Sequence, residues 1–595
     1  MTRALLCSAL LITISCGSSG SDGNSTSGGA NSEAGTANHT GGSNSAAGSS
    51  GSANTTGGTG VVGTGGSVGS AGTSGGTTAS GGAGGASGGA GGVGGTAPVA
   101  DTSVTQFGGD IQRTSHWVSA SLTKANVAAT PSKLVMDTFT APADATAPYI
   151  GKFPGEVAAT PLFLAGKAGA VGEYIAVTTQ NDVFAFNQAT GAKNWNTNIG
   201  AYLVNAGQCG TPAHHGIVST PVIDPTTRVI YVTGSMADGH AEIHALSADT
   251  GMEVTGWPVD VSKLNLKVGN TPFDPPVQSQ RSALSLVNGV LYVAFGGYCG
   301  DQGDYHGYVV GVKTTDPTQT GAWGTMDQQD GIWAPGGMAS DGTGVFAVTG
   351  NSGAMGDHTK TDSEEIIRIT GLGTPNRDAK NMFFPSGEWQ DPMNAHDLDF
   401  GSSSPTLVTV PNSTPSTIIV APAKPGRVYF LDATNLGGSL GQFADMVVAG
   451  TTAQTVYTAP SAYQAASGVH VAITTGAGSV CPGGNNDDSV MAFTMQPGTP
   501  PMPKLSWCAT IANDATIKRS PISTNSLGAA DPIVWIVNGT KLNGFDGETG
   551  ALIYGGGTGS CGGVHYFTEA IVANGHIVAA GDAAGQAHLC TWSVH

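Results

Sequence analysis

The stretch Ile175 to Trp195, IAVTTQNDVFAFNQATGAKNW, limits the fold more than any other part of the chain. It reads as a strand, a tight turn, a second strand, a Thr-Gly turn and a closing aromatic, and weaker copies follow to the C-terminus. One such unit cannot bury its own apolar face, so several must stack about a common axis. The expectation is an all-β propeller of four-stranded antiparallel blades.

Each repeat opens on a small residue and proline, or an equivalent, before an apolar strand. The starts are Thr160-Pro161, Thr220-Pro221, Ser282-Ala283, Gly337-Met338, Ser404-Pro405, Ala459-Pro460 and Ser520-Pro521, with a degenerate eighth near Thr568-Glu569-Ala570. Spacings of roughly 50 to 65 residues suit a four-stranded blade with variable loops. The last repeat is one strand short, and Lys133–Thr140 (KLVMDTFT) is an isolated strand-like segment ahead of the first. Joining it to residues 560–595 completes an eighth blade and removes two sheet edges. The alternative is a seven-bladed ring with that segment as an extension.

Ala185 to Gly191 (AFNQATG) with Trp195 resembles the repeat of quinoprotein-type, PQQ-like propellers. Gly544 to Gly550 (GFDGETG) with Tyr554 is a second close copy, and Ala245 to Gly251 a third whose Trp257 falls late. The resemblance covers about residues 105–595 and implies that the closing tryptophan packs between neighbouring blades. It implies two kinds of activity. The family holds alcohol dehydrogenases that use PQQ and calcium, and non-catalytic members such as the lipoprotein component of outer-membrane barrel assembly.

The first hundred residues are of another kind. Arg3 followed by the apolar run Ala4–Ile14 is an export signal too short to remain as a membrane span. Ending at Ile14-Ser15-Cys16, it resembles a bacterial lipoprotein signal, with Cys16 as the lipidated residue and Thr13 where the family usually has leucine. Gly, Ser, Thr, Ala and Asn then dominate to about residue 97 and cannot bury enough surface to order themselves. As a flexible coil of about 80 residues, the segment has an r.m.s. reach of roughly 50 Å. The expected division is signal peptide 1–15, linker 16–100 and propeller 101–595. It places the protein at the outer membrane, attached through the lipid alone.

Removing Cys7 with the signal and giving Cys16 to lipid leaves an even set of cysteines, as expected of an exported disulfide protein. Proximity within blades favours Cys481–Cys508 and Cys561–Cys590, leaving Cys209–Cys299; the sequence leaves other pairings open. The net charge of −19 and the lack of any basic stripe argue against a nucleic-acid partner.

In a radial propeller, residues just before the innermost strands ring one mouth of the axial channel. That position gives Glu156, His215, Arg281, Trp333, Asp397, Asp399, Tyr457, Arg519 and His565 as candidate ligand contacts. Asp397-Leu398-Asp399 has the oxygen donors a hard cation such as calcium prefers, although the same pattern serves turns. Trp333 reads as a stacking platform or as a plug. Arg281 and Arg519 read as carboxylate clamps or as neutralisers of ring acids. No Cys-Cys dipeptide is present, whereas the family's alcohol dehydrogenases carry one against their cofactor. The expected function is therefore that of a lipid-anchored, monomeric envelope binding or scaffold module for a protein or glycan, non-catalytic and with no certain cofactor. The alternative is a PQQ- and calcium-dependent alcohol or sugar dehydrogenase.

Overall fold

In the computed structural model the described residues are 103–139, 150–205, 212–353, 360–439, 441–450, 455–476, 479–481, 489–511, 519–556, 561–583 and 586–595. The signal segment, Cys16, the whole linker and Cys209 lie outside them. Eight antiparallel sheets form the blades of a propeller. The first comprises Leu162–Leu164, Glu173–Val177, Asp182–Asn187 and Lys193–Asn198, from the axis outward. No described helix is long and apolar enough to cross a membrane.

Alternation of side chains along each strand sends apolar residues to both faces of a blade, so the cores lie between blades rather than inside them. Leu162, Ile175, Val177 and Ala185 of the first blade pack against Ile223, Ile230, Val232 and Leu246 of the second. The closing tryptophans seal these layers further out. Trp195 Nε1 donates to the Ala248 carbonyl of the next blade at 2.7 Å, and Trp507 Nε1 donates to the Gly547 carbonyl at 2.8 Å. Each indole lies on the glycine that ends the next Thr-Gly turn. Gly251 has φ +72°, and a Cβ there would come within 2.5 Å of the Trp195 ring. The repeat motif is thus a two-part joint. The aromatic of one blade requires the glycine of the next.

The expected closure is present. Leu134–Met136 pairs antiparallel with the outer part of Gln586–Val594, and Ile150–Pro154 pairs with the other end of that strand. The ring therefore closes with eight blades. Asp137 pins the join, accepting from Thr591 Oγ1 at 2.7 Å, His576 Nδ1 at 2.9 Å and His595 Nε2 at 3.1 Å, and also from Ser593 Oγ. Burial works to raise its pKa, but these bonds to the ionised form outweigh it and hold the carboxyl below its ordinary value. Two of the expected disulfides, Cys481–Cys508 and Cys561–Cys590, each lie within a blade. The third expected pair includes Cys209, outside the described residues.

Residues 104–115 carry no strand pattern, yet they bind every blade. The inner strand of a propeller blade is a sheet edge, so its axis-facing N–H groups need acceptors. Carbonyls of Val104, Thr105, Ile111, Gln112, Thr114 and Ser115 accept from Phe163, Ile223, Ser340, Leu407, Ala462 and Ser523, in blades one, two, four, five, six and seven. Blade three is reached through the fully buried Arg113, which donates to Leu284 O at 2.8 Å and Ser285 Oγ at 2.7 Å. Blade eight is reached through Glu569, whose carboxyl oxygens lie 2.6 Å from the donating Gly108 N and 2.7 Å from Ser115 Oγ. Just beyond, His116–Val118 adds a parallel strand inside blade seven.

Burial pushes Glu569 up to about 8, against the lowering effects of the Ser115 and Gly108 bonds and the Arg113 charge. Its folded-state pKa therefore exceeds the unfolded one. The native state keeps a proton that the unfolded chain releases, and this contribution to stability is lost as pH rises toward 8. In Glu569→Gln the pH dependence of urea stability should flatten between about pH 5 and 8, with slopes differing by up to about 1 kcal/mol per pH unit. Parallel slopes for the two proteins would show that Glu569 is ionised throughout. Separately, Asp137→Ala should cost about 3 kcal/mol in the same assay, because several buried donors lose one charged acceptor. A cost below about 1 kcal/mol would mean the closure does not depend on it.

Candidate functional site

The residues ahead of the inner strands converge as the topology requires, though not all of them face the same space. Arg281 lies under an aromatic group, with its guanidinium carbon 5.0 Å from the centre of the Phe567 ring and 5.9 Å from that of Trp333. Trp333 and Phe567 meet edge to face at 6.3 Å, and Tyr457 approaches Phe567 at 6.4 Å. Burial lowers the Arg281 guanidinium to about 10, so it stays charged at neutral pH, and the ring faces supply part of the lost hydration. Phe567 adopts φ +66°, a conformation rare for a residue with a Cβ, and so keeps its ring over the arginine.

Beside this stack stands a buried charge cluster centred on Lys424. Its ammonium donates to Asp397 Oδ1 and Asp399 Oδ2, both at 2.7 Å, and lies 5.8 Å from the Trp333 ring. Burial disfavours the charge, but Asp399 and Asp397 more than restore it and hold the pKa above the ordinary lysine range. Asp399 also accepts from the Asn351 amide at 2.9 Å. Glu364, fully buried, accepts from the Phe400 amide and is driven well above its ordinary value by burial and by the neighbouring Asp399 charge. The oxygens that the sequence marked for a hard cation thus face an ammonium.

The remaining candidates sit around this centre. Arg519 donates from Nε and Nη2 to the Val564 carbonyl, at 3.1 and 2.6 Å, and lies 5.4 Å from the Tyr566 ring. It steadies the His565–Phe567 loop. His565 belongs to that loop; burial lowers its pKa, and the Glu156 charge partly opposes the shift. Glu156 is tied to the ring through its backbone, the amide donating to Thr179 Oγ1 at 3.3 Å. His215 is fully buried, packed edge-on to Tyr298 at 4.9 Å, and burial followed by the Arg281 charge lowers it to about 3. It is a neutral core histidine beside the mouth.

Three participants were missed: Lys424, Tyr566 and Phe567. Lys424 lies in the turn after the second strand of its blade (Thr417–Ala423), not before an inner strand, so a search by position could not find it. The adjacent aromatics in Gly563-Val564-His565-Tyr566-Phe567 were a usable signal in a glycine-rich loop. The space left among Arg281, Pro335, His565, Tyr566 and Phe567 is a cavity of about 10 Å³, room for about one water molecule.

Lys424→Met removes the countercharge from buried Asp399 and exposed Asp397 and should destabilise the protein by about 3 kcal/mol in chemical denaturation, nearly all of it through Asp399. The companion triple change, with Asp397→Asn and Asp399→Asn added, should recover more than half of that loss. Failure of the triple variant to recover any stability would show that Lys424 acts through packing, not charge.

No family model matches the sequence, and no curated protein does. Solved structures do resemble the fold. The quinohemoprotein alcohol dehydrogenase ADHIIG from Pseudomonas putida HK5 superposes with a TM-score of 0.57 at 13% identity, over 83% of this chain and 80% of that one. A europium-containing methanol dehydrogenase gives 0.53 at 12% identity, over 83% and 98%. BamB from Moraxella catarrhalis gives 0.42 at 14%, over 75% and 99%. At these identities the likeness is one of architecture: the chain has the fold of the quinoprotein-type propellers.

Proposed function

We propose that this chain is a non-catalytic binding module of the bacterial envelope, tethered through Cys16 by its Gly/Ser-rich linker and engaging a protein or glycan partner with its mouth-side rim. The carrying observation is that the mouth is filled by its own side chains. Phe567 covers Arg281 and meets Trp333, while Lys424 neutralises Asp397 and Asp399. Small-molecule sites occupy roughly 300 to 1,000 Å³, against the cavity of about 10 Å³ here. What the mouth offers a partner is a surface, with exposed Tyr566 above a rigid aromatic and arginine base.

The dehydrogenase reading draws on the names of the two similar enzymes and on the repeat. Among the described residues, those at the mouth do not fit a planar quinone with a divalent or trivalent cation. Arg281, Lys424 and Phe567 crowd around Trp333, and an ammonium stands between the only two carboxylates proposed for the metal. No catalytic step follows from such an arrangement.

The test has two arms. Purified full-length protein incubated with PQQ and either calcium or europium should show neither quinone absorbance after desalting nor dye-linked alcohol oxidation. In parallel, the protein should capture a partner from envelope extract, and Tyr566→Ala should reduce that capture at least tenfold with an unchanged melting temperature. Quinone retention with alcohol oxidation would overturn the proposal, as would equal capture by the Tyr566 variant.

A further inference from the structure

The third strand of blade two, Ala241–Ser247, carries polar groups on one face and core residues on the other. Ala241, Ile243 and Ala245 enter the core between blades. Glu242 and His244 therefore project from the opposite face, and His240 continues that row from the turn before the strand. The neighbouring outer strand, Val259–Asp260, pairs so that Asp260 lies directly opposite Glu242. Coordinating atoms of His240, Glu242 and Asp260 all fall within 4.8 Å of one another.

The hydrogen bonds around the two imidazoles set which nitrogen points inward. His244 Nδ1 is 2.7 Å from Glu253 Oε2, and His240 Nδ1 is bonded to Asp238 Oδ1. A carboxylate accepts, so each Nδ1 carries a proton and Nε2 is the nitrogen left to face the cluster. Those Nε2 atoms face Glu242 from two sides. His240 Nε2 is 3.3 Å from Oε1, and His244 Nε2 is 3.3 Å from Oε2. His244 is only 5% exposed, and its Nε2 is buried without a hydrogen-bond partner in the structure. A nitrogen and a carboxylate oxygen at that distance are held together by a proton or by a metal cation between them, and the two compete for the same nitrogen.

We infer that His240, Glu242 and Asp260 form a binding site for a borderline divalent transition-metal ion of the zinc class, with His244 bracing Glu242 from its other side. Imidazole and carboxylate together suit such ions. With bonds of about 2.0 Å, adjacent ligands around a tetrahedral zinc stand about 3.3 Å apart, as His240 Nε2 stands from Glu242 Oε1. Asp238 occupies the outer position that a carboxylate takes behind a metal-bound histidine, orienting the His240 ring and strengthening it as a donor, and Glu253 fixes the His244 ring in the same way. Glu253 is itself held, accepting from the Ala245 amide at 2.9 Å. Asp260 is partly engaged by Lys263 at 3.0 Å and by the Ser262 amide at 2.9 Å, and the lysine is exposed enough to swing away. Bound metal would tie the third strand to the outer strand of blade two.

Cys561, His588 and Cys590 also cluster, but both thiols are spent in the Cys561–Cys590 disulfide. The test is therefore run without reductant. Full-length protein, stripped with chelator and exchanged into metal-free buffer, is titrated with zinc against a chromogenic competitor and, separately, with cobalt(II). The expected result is one zinc equivalent bound at or below micromolar Kd, with the intense visible bands of tetrahedral cobalt. His240→Ala, at a partly exposed position, should weaken zinc at least 100-fold and abolish those bands with the far-UV spectrum unchanged. Asp260→Asn should weaken it by a smaller factor. Should His244→Ala fail to fold, the His240 and Asp260 variants still decide the matter. Wild-type affinity no better than that of His240→Ala, or one-equivalent binding that survives both substitutions, would overturn the assignment.

Discussion

A single run of backbone, Val104 to Ser115, is the constraint on which the molecule depends. Eight inner strands surround an axis, and each is a sheet edge with unsatisfied amides facing inward. A hydrocarbon plug would leave those amides unpaired. The chain instead lays its own carbonyls along the inner strands of six blades and reaches the other two through Arg113 and Glu569. Phe107 then fills the axis with Ala283 and Ala459, two residues beyond Arg281 and Tyr457 on the same inner segments. The mouth thus has a solid floor.

The ring resists shear at two other radii. Between blades the tryptophan-to-glycine joint recurs wherever the motif is well kept, at Trp195 on Gly251 and at Trp507 on Gly550. At the seam, strands from before the first blade complete the last one, and Asp137 gathers donors from the last two strands of the chain. These devices are chemically different. Apolar area holds neighbouring blades, while hydrogen bonds hold the two places where distant parts of the chain must meet, backbone carbonyls and Arg113 at the axis and the Asp137 carboxylate at the seam.

A rigid disc with a solid floor gives its mouth side chains little freedom. Positive groups there are met internally: Arg281 by aromatic faces, Lys424 by two aspartates, Arg519 by a carbonyl. This internal pairing is what the proposed binding role rests on, because a catalytic centre holds its charged groups available to a reacting molecule. The blade-two cluster differs. There an imidazole and two carboxylates turn toward one another, the arrangement on which the proposed metal site rests.

The sequence by itself determined the fold class, the blade boundaries and the closing strand, because alternation along strands and the Thr-Gly turn are local properties. It also determined which residues stand before the inner strands, and Arg281, Trp333, Tyr457 and His565 do meet, as that position implies. Only the tertiary structure decided how their charges are balanced. Lys424 comes from a different strand position, and Phe567 depends on an unusual backbone angle, so neither follows from periodicity. The axial segment was illegible for the same reason: its bonds are made by backbone carbonyls, which every residue possesses, to partners as far away as Ser523. Local pattern reveals how a strand will pair with the next one; it cannot reveal which distant groups will use the edges left over.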